Sequence, residues 1–289
     1  MSTRSALLAS LLCFLVWSPV QAAETYDLTK LLVREPRVGE VVREVTTEVE
    51  KGRQVIRRDG QVVQDQADSK REEYTRQVEV LSADAKGNAT KTRFVYQSYE
   101  RAQGESKQVM EVQDLEILVD QTKDPVRITA KKREIPPFLE NKLTDETAQP
   151  DVADRLKKVT SFLPTEAVEV GATWSRDPVE VAKALGLGHE GIETSASKVT
   201  GTLTATKTKG MLRVLIKLDV SYSTFQGNPC KEPMKVAVVI EALIPADADD
   251  PSGTMSQKLV MGGVIETQGM LVAIDVEQSS KTEITRAKK

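Results

Sequence analysis

The segment from Gly186 to Gly191, GLGHEG, has the glycine spacing of a dinucleotide-binding loop. That chemistry needs a strand before the glycines and a helix after them, so that the helix N-terminus binds the pyrophosphate. The local pattern predicts the reverse order, because a helix that starts at Asp177-Pro178 runs through Leu185 and stops at Gly186. We therefore interpret the segment as a helix end followed by a loop, and we predict no cofactor.

Two further residue types that could do chemistry occur once each after the predicted leader. His189 is the only histidine, and no Gly-x-Ser-x-Gly motif accompanies it, so a triad or a zinc site has little to build on. Cys230 follows Asn228-Pro229 in a predicted loop and has no second cysteine to pair with once the leader is removed. The sequence favours an incidental loop histidine and an inert thiol, with a nucleophilic thiol as the alternative. We predict no catalytic residue.

Acidic residues offer two other kinds of site. The segment 247–253, DADDPSG, gathers three carboxylates before a glycine, but Pro251 occupies a ligand position of a calcium loop and no glutamate closes it. It predicts a turn and no metal site. The 43 acidic residues allow carboxylate-pair chemistry such as glycoside hydrolysis. Loss of Phe14 and Trp17 with the leader leaves 10 scattered aromatic residues, too few for the aromatic platforms that usually bind sugars.

The N-terminus has the pattern of a secretory leader. Arg4 precedes an apolar run from Ala6 to Trp17, which is 12 residues long, whereas a spanning helix needs about 20. Pro19 and small residues follow, so we predict a signal peptide over residues 1–22, cleaved after Ala22 or Ala23. The mature chain is then exported to the periplasm or beyond and has no transmembrane segment.

Cys13 lies inside the apolar run of the leader. Leu12 precedes it where lipoprotein leaders prefer a small residue, so lipidation of Cys13 is the less favoured alternative. Loss of Arg4 lowers the basic residues from 40 to 39 against 43 acidic ones, a net charge of −4. This balance gives no basic footprint for nucleic acid, and we predict no nucleic-acid partner.

Alternation of apolar and polar residues dominates the mature chain. In 39–50, Val41, Val45 and Val49 fall on one side and glutamates on the other, which predicts a half-buried strand with a wet glutamate face. Segments 54–58 and 61–65 flank Asp59-Gly60, the strongest two-residue hairpin signal. The remaining predicted strands are 71–83, 90–101, 107–120, 126–131, 198–207, 211–225, 234–244, 256–267 and 271–284.

The middle of the chain has a different pattern. Residues 138–162 have helical spacing, with Asp151 placed as a cap. We predict a β-meander over 23–134, a helical insert and linker over 135–190, and a second meander over 191–289. One continuous domain over 23–289 is the favoured organisation and two domains are the alternative. The fold class is mainly β: an antiparallel open or half barrel with a short helical insert.

One segment carries a resemblance. Residues 161–174, SFLPTEAVEVGATW, and the end of the last meander, 269–277, GMLVAIDVE, resemble features of a group of exported bacterial β-proteins. Those proteins resemble the periplasmic lipoprotein carriers, in which an open β-barrel wraps a helical plug around an apolar cavity. The resemblance implies that the helical middle covers the open face of the sheet. It implies no catalytic residue.

The leading hypothesis is a non-enzymatic module that binds a lipid or other apolar ligand in the concave face of the barrel. An envelope-associated protein–protein interaction module is the alternative, and a carboxylate hydrolase is the third hypothesis. The residues predicted to line the cavity, each also suited to an ordinary core, are Phe94, Tyr96, Ile117, Leu139, Leu156, Trp174, Leu215 and Val239.

Overall fold

The computed structural model describes residues 24–33, 37–131, 133–147 and 152–287. The predicted leader with Cys13 and the predicted cap Asp151 lie outside the described residues. Within them, no helix combines the length and the apolar character needed to cross a membrane.

The chain folds mainly into strands. They are β1 (Thr25–Tyr26), β2 (Val41–Arg58), β3 (Gln61–Ala83), β4 (Ala89–Gln103), β5 (Ser106–Val109), β6 (Leu115–Asp120), β7 (Arg127–Ala130), β8 (Val168–Glu169), β9 (Thr173–Arg176), β10 (Lys198–Ala205), β11 (Met211–Phe225), β12 (Asn228–Pro245), β13 (Gly253–Thr267) and β14 (Met270–Arg286). The helices are α1 (Leu28–Leu32), α2 (Pro137–Thr147), α3 (Val152–Phe162) and α4 (Pro178–Ala184), with a 3-10 turn at Thr194–Ala196.

The long strands form one antiparallel sheet. Its order is β7-β6-β4-β3-β2-β14-β13-β12-β11-β10-β9, with β5 beside β4, while β1 and β8 pair separately. The pairing of β2 with β14 joins the first and last parts of the chain in this sheet. In the described residues the terminal strands β7 and β9 do not pair with each other, so the sheet stays open. The predicted fold class is therefore confirmed.

The Asp59-Gly60 hairpin is confirmed. The φ angles of Asp59 and Gly60 are 50° and 78°, as a tight primed turn requires. The flanking strands were predicted as four short segments and are instead two continuous strands of 18 and 23 residues. Gly52 does not interrupt β2, because its backbone lies in the ladder between Val276 and Asp68.

The predicted strand over 107–120 is wrong in its middle. The chain leaves the ladder between β5 and β6, and Asp114 adopts a φ of 58°. Met110 and Asp114 donate backbone hydrogen bonds to the carbonyls of Tyr99 and Tyr96, so the segment crosses over β4 as a turn. Val109 is consequently 66% exposed, whereas the predicted apolar side of β6 is buried.

The helical insert is confirmed, with α2, α3 and α4 inside 135–190. Asp177 caps α4 as predicted, since its Oδ1 accepts hydrogen bonds from the backbone N–H groups of Val179 at 2.8 Å and Glu180 at 3.1 Å. Pro178 is the first helical residue, and Gly186 follows the helix with a φ of 74°. The order of helix before glycines, which argued against a dinucleotide loop, is therefore correct.

The core divides into two apolar clusters. The first lies on β10 to β13 and is covered by α1, α3 and α4, with Leu163, Leu203 and Met234 fully buried. The second, which we call the aromatic cluster, lies on β3, β4 and β6 under α2. Its members include Tyr74, Phe94, Tyr96, Tyr99, Ile117, Leu139 and Leu143.

Candidate functional site

The helices cover one face of the sheet, which we call the inner face, and a band of polar side chains crosses it between the two clusters. Strand alternation and register place these side chains on one surface across β3, β2, β14 and β13. We call this band the polar belt. It consists of Glu44, Glu48, Glu50, Lys70, Glu72, Arg76, Gln257, Gln278 and Ser280.

The predicted alternation of β2 is present, but its orientation is the reverse of the prediction. The glutamates face the helices, and Thr46 between them is only 3% exposed. Val45 and Val49 lie on the opposite, outer face, where they are half-buried. The sequence of β2 alone predicts the alternation but not which side faces the helices. The glutamate side is the inner one because its ion-pairing partners lie on β3 and α2.

Arg76 is the centre of the belt and is 6% exposed. Its Nε donates to Glu44 Oε2 at 2.5 Å, and its Nη1 donates to Glu146 Oε2 at 2.7 Å and to the Tyr96 hydroxyl at 3.0 Å. The guanidinium also lies 4.8 Å from the ring centroid of Phe94. Burial alone would lower the pKa of Arg76, but the neighbouring tyrosines Tyr96 and Tyr74 and the carboxylates of Glu44 and Glu146 outweigh that effect and hold the pKa well above its usual value.

A second buried group surrounds Glu72. The Tyr99 hydroxyl donates to Glu72 Oε2 at 2.7 Å, and Lys70 Nζ lies 3.0 Å from Oε1. Lys142 Nζ lies 3.5 Å from Glu72 Oε2 and 3.4 Å from Glu48 Oε1. Burial by itself would raise the pKa of Glu72, but the hydrogen bonds from Tyr99 and Lys70 lower it below its ordinary value. The carboxylate therefore stays ionised beneath α2.

Helix α2 attaches to the sheet through both apolar and charged side chains. Leu139 and Leu143 are fully buried in the aromatic cluster, and Phe138 packs edge-on against Tyr99 with ring centroids 5.0 Å apart. Lys142 and Glu146 lie on the same face at the helical spacing i, i+3, i+4 and i+7 and reach the polar belt. Sequence reasoning found the two leucines and missed the two charged residues. The helical spacing of positions 139, 142, 143 and 146 was the signal that could have identified them.

Next to α2 the belt forms a groove with a cavity volume of about 240 Å³. This volume lies below the roughly 300–1,000 Å³ of most small-molecule sites, so it suits part of a ligand. The groove is lined by three carboxylates and one ammonium group, and no described residue forms an ion pair with Glu50. Its lining side chains on the inner face are Glu48, Glu50, Lys70, Glu72, Gln257, Leu259, Gln278 and Ser280.

Four of the predicted cavity residues come together. Phe94, Tyr96, Ile117 and Leu139 all belong to the aromatic cluster, and none is more than 8% exposed. They pack against one another beneath α2. They adjoin the groove through the hydrogen bond between Tyr99 and Glu72.

The other four lie elsewhere. Leu156 on α3 is 38% exposed, and Trp174 packs against the first cluster, with its Nε1 donating to Phe162 O at 2.9 Å. Leu215 and Val239 are half-buried on the outer face, because the buried residues of β11 and β12 around them, in 212–220 and 234–244, are even-numbered. Leu215 stands in a run that is apolar on both sides of the strand, so alternation could not assign its face.

His189 and Cys230 also lie apart from the polar belt. His189 is exposed in the loop after α4, where Tyr222 donates to Leu187 O at 3.3 Å. Cys230 is half-buried in β12 beside Ile265, so the prediction that it lies in a loop is wrong. The prediction failed because β12 contains a β-bulge after Cys230. The ladder continues through this irregular stretch, whose sequence is typical of a turn.

The acidic segment 247–253 forms a turn, as predicted. Asp247 Oδ1 accepts the backbone N–H of Asp249 at 2.9 Å, and Asp250 Oδ1 accepts that of Ser252 at 2.9 Å. Arg37 pairs with Asp249. Among the described residues, no three acidic, histidine or cysteine side chains are grouped to hold a metal ion.

Comparisons with known proteins assign the chain to no family. No protein-family model matches the chain, and no curated protein matches it. A solved structure described as "lipid-protein interactions in lipovitellin" is similar over 87% of this chain and 25% of its own length, with 9% identity and a TM-score of 0.36. The chain thus spans about a quarter of that protein. At this TM-score the likeness carries no argument about the fold or the function of this chain.

Proposed function

We propose that the chain is an exported, non-enzymatic binding protein that holds an amphipathic ligand on its inner face. The polar head of the ligand occupies the groove of the polar belt, and its apolar part lies beside the aromatic cluster under α2. The observation that carries the proposal is the position of Glu72. It lines the groove and also accepts a hydrogen bond from buried Tyr99, so the polar and apolar surfaces are contiguous.

The side chains that line the groove determine which polar head group of a ligand fits there. Glu50 lies opposite Gln278, and no described residue forms an ion pair with it, whereas Glu72 is already bonded to Lys70 and Tyr99. A cationic group or a cluster of hydroxyl donors satisfies Glu50 and the amide and hydroxyl oxygens around it. An anionic head would meet three carboxylates at close range.

The apolar part requires α2 to move. Leu139 and Leu143 fill the space over the aromatic cluster, so a ligand chain enters only as α2 is displaced. The ion pairs of Lys142 and Glu146 oppose this displacement. The binding free energy of a ligand must therefore offset the free energy needed to displace α2. A ligand that displaces α2 must bind the form with α2 displaced more tightly than the form with α2 in place.

The test is displacement of the apolar dye N-phenyl-1-naphthylamine by ligands with one chain and different heads. Decylammonium, decanol and decanoate are titrated below their critical micelle concentrations. We expect displacement by decylammonium at the lowest concentration and by decanoate at the highest. Glu50→Gln should remove the preference for decylammonium and leave decanol unchanged. Equal displacement by all three, or no dye binding, overturns the proposal.

Glu73→Gln is the matched control. Glu73 lies on the same pair of strands as Glu72 but on the outer face, where it pairs with Arg71. It should retain the decylammonium preference of the wild type. Native mass spectrometry of protein purified from its own host then identifies the natural ligand as added mass, and a ligand-free mass that does not respond to the decyl series counts against the proposal. Export is tested separately by the N-terminal residue of the mature protein.

An interaction module is the second candidate, and one observation favours it. β4 pairs with β3 only from Lys70 onward, and Gly104 N–H donates to Ser69 O, so the described residues leave 61–68 of β3 with one unpaired edge. Val62 and Val63 on it are 54% and 59% exposed. Such an edge can accept a strand from another protein. Gln66→Pro should abolish capture of an envelope partner and leave the dye titration unchanged, and undiminished capture rejects this candidate.

A further inference from the structure

A pocket of about 800 Å³ lies between α1, α3 and α4, away from the polar belt. Its volume is within the roughly 300–1,000 Å³ of small-molecule sites. Its lining is basic and rich in hydroxyl groups. The charged lining residues are Lys157, Lys158, Arg176, Glu180 and Lys183.

The charge in this pocket contrasts with that of the protein. Four cationic side chains face a single carboxylate, that of Glu180, whereas the chain as a whole has a net charge of −3. In the part of the chain that the structure describes, Lys157, Lys158 and Lys183 have no carboxylate within ion-pair distance. Like charges that remain together without counterions repel one another, so this arrangement costs stability unless an anion joins it.

Arg176 gives the pocket a fixed donor. Its Nε and Nη2 donate to Ser161 O and Thr160 O at the end of α3, both at 3.1 Å. These bonds hold the guanidinium in one orientation and leave Nη1 with no partner among the described residues. A pre-oriented guanidinium beside flexible ammonium groups is the combination that proteins use for phosphate oxygens.

We propose that this pocket binds a phosphate-bearing ligand, with Lys157, Lys158 and Lys183 supplying charge and Arg176 supplying an oriented N–H donor. The phosphate belongs either to a soluble phosphate ester or to a lipid headgroup at a membrane surface. Both present the same oxygens, so the chemistry of recognition is shared. The inference is independent of the proposed function, because no residue of the polar belt takes part.

The experiment has two arms. Isothermal titration with inorganic pyrophosphate and with glycerol 3-phosphate tests a soluble ligand. Co-sedimentation with phosphatidylcholine vesicles, with and without phosphatidylglycerol, tests a headgroup. Binding in either arm should weaken by about tenfold or more in Lys157→Gln/Lys158→Gln and in Lys183→Gln, since each removes charge-assisted hydrogen bonds. Glu180→Gln should strengthen it, because Glu180 carries the only carboxylate among the described residues that line the pocket.

Lys217→Gln is the control, since Lys217 is an exposed lysine on the outer face of β11. It changes the net charge by the same amount as Lys183→Gln and should leave binding unchanged. Circular dichroism and the melting temperature establish that each variant is folded. Binding in one arm alone identifies the source of the phosphate. No binding in either arm, or equal losses in Lys183→Gln and Lys217→Gln, overturns the proposal.

Discussion

Glu146 Oε2 of α2 lies 2.7 Å from Arg76 Nη1 of β3, although 70 residues separate the two in the chain. The contact is long-range and partly buried, and Arg76 has a second carboxylate partner in Glu44. A buried guanidinium is stabilised only while such partners remain, so the position of α2 and the charge state of the belt depend on each other. This relationship makes α2 a tightly placed cover over the aromatic cluster.

Replacement of Arg76 by methionine should lower the free energy of unfolding by up to about 3–5 kcal/mol, because it leaves two partly buried carboxylates without their cation. Urea denaturation followed by circular dichroism measures the loss. Arg213→Met is the matched control, because Arg213 pairs with Glu241 at 2.7 Å but is 45% exposed, and its loss should cost at most about 1 kcal/mol. Similar losses in the two variants would show that Arg76 is not held as described.

Stability should depend on pH through Glu72. Its pKa in the folded protein lies below the ordinary 4.5, so ionisation favours the folded state. The contribution is fully present above pH 4.5 and is lost as the pH falls through the lower folded-state value. The wild type should therefore lose more stability than Glu72→Gln between neutral pH and pH 3, as measured by urea titrations at each pH.

Glu73→Gln serves again as control, because the side chain of Glu73 is 46% exposed. Its pH profile should follow that of the wild type. A Glu72→Gln profile that runs parallel to the wild type across the same range would mean that Glu72 is not stabilised by Tyr99 and Lys70 in the folded protein.

Turns and helix caps could be predicted from the sequence, because they depend on residues that are close together in the chain. Asp59-Gly60 can form a primed turn in any context, and Asp177 caps α4 through its own backbone neighbours. The polar belt could not be predicted in this way, because its ion pairs join residues that are far apart in the chain. The sequence pattern around Glu44 predicts a solvent-exposed strand residue. Glu44 is half-buried in the structure because Arg76 of β3 and Glu146 of α2 pack beside it.

The same distinction explains the cavity residues. Tyr96 and Ile117 stand in strands with clear alternation, so their common face could be predicted. Leu215 has apolar neighbours on both sides in the chain, and only the register with β12 assigns it to the outer face. Pairing between distant strands is a tertiary property that periodicity within one strand does not contain.

Gly201 should not tolerate a side chain. A Cβ atom at this position would lie 2.0 Å from Cε2 of Trp174, so Gly201→Ala must displace the indole from its hydrogen bond with Phe162 O. We expect a loss of about 1–3 kcal/mol in the free energy of unfolding and a shift in tryptophan emission. Urea denaturation followed by fluorescence measures both.

Gly52→Ala is the matched control, because a Cβ there meets nothing within 4 Å and the residue is in a strand. It should leave stability unchanged or raise it slightly. In a Trp174→Leu background, where urea denaturation is followed by circular dichroism, Gly201→Ala should cost less than in the wild type. If the cost is the same in both backgrounds, the steric explanation fails.

Leu139 and Leu156 were both predicted to line a cavity, and the structure separates them by burial. Leu139 is fully buried in the aromatic cluster, whereas Leu156 on α3 is 38% exposed. Leu139→Ala should cost about 2–5 kcal/mol by opening a cavity under α2, and Leu156→Ala should cost well under half of that. Chemical denaturation measures the two costs, and hydrogen exchange of α2 amides shows whether the helix has loosened. If Leu156→Ala is the more destabilising variant, or if Leu139→Ala leaves the exchange of α2 unchanged, the described packing of α2 on the sheet is wrong.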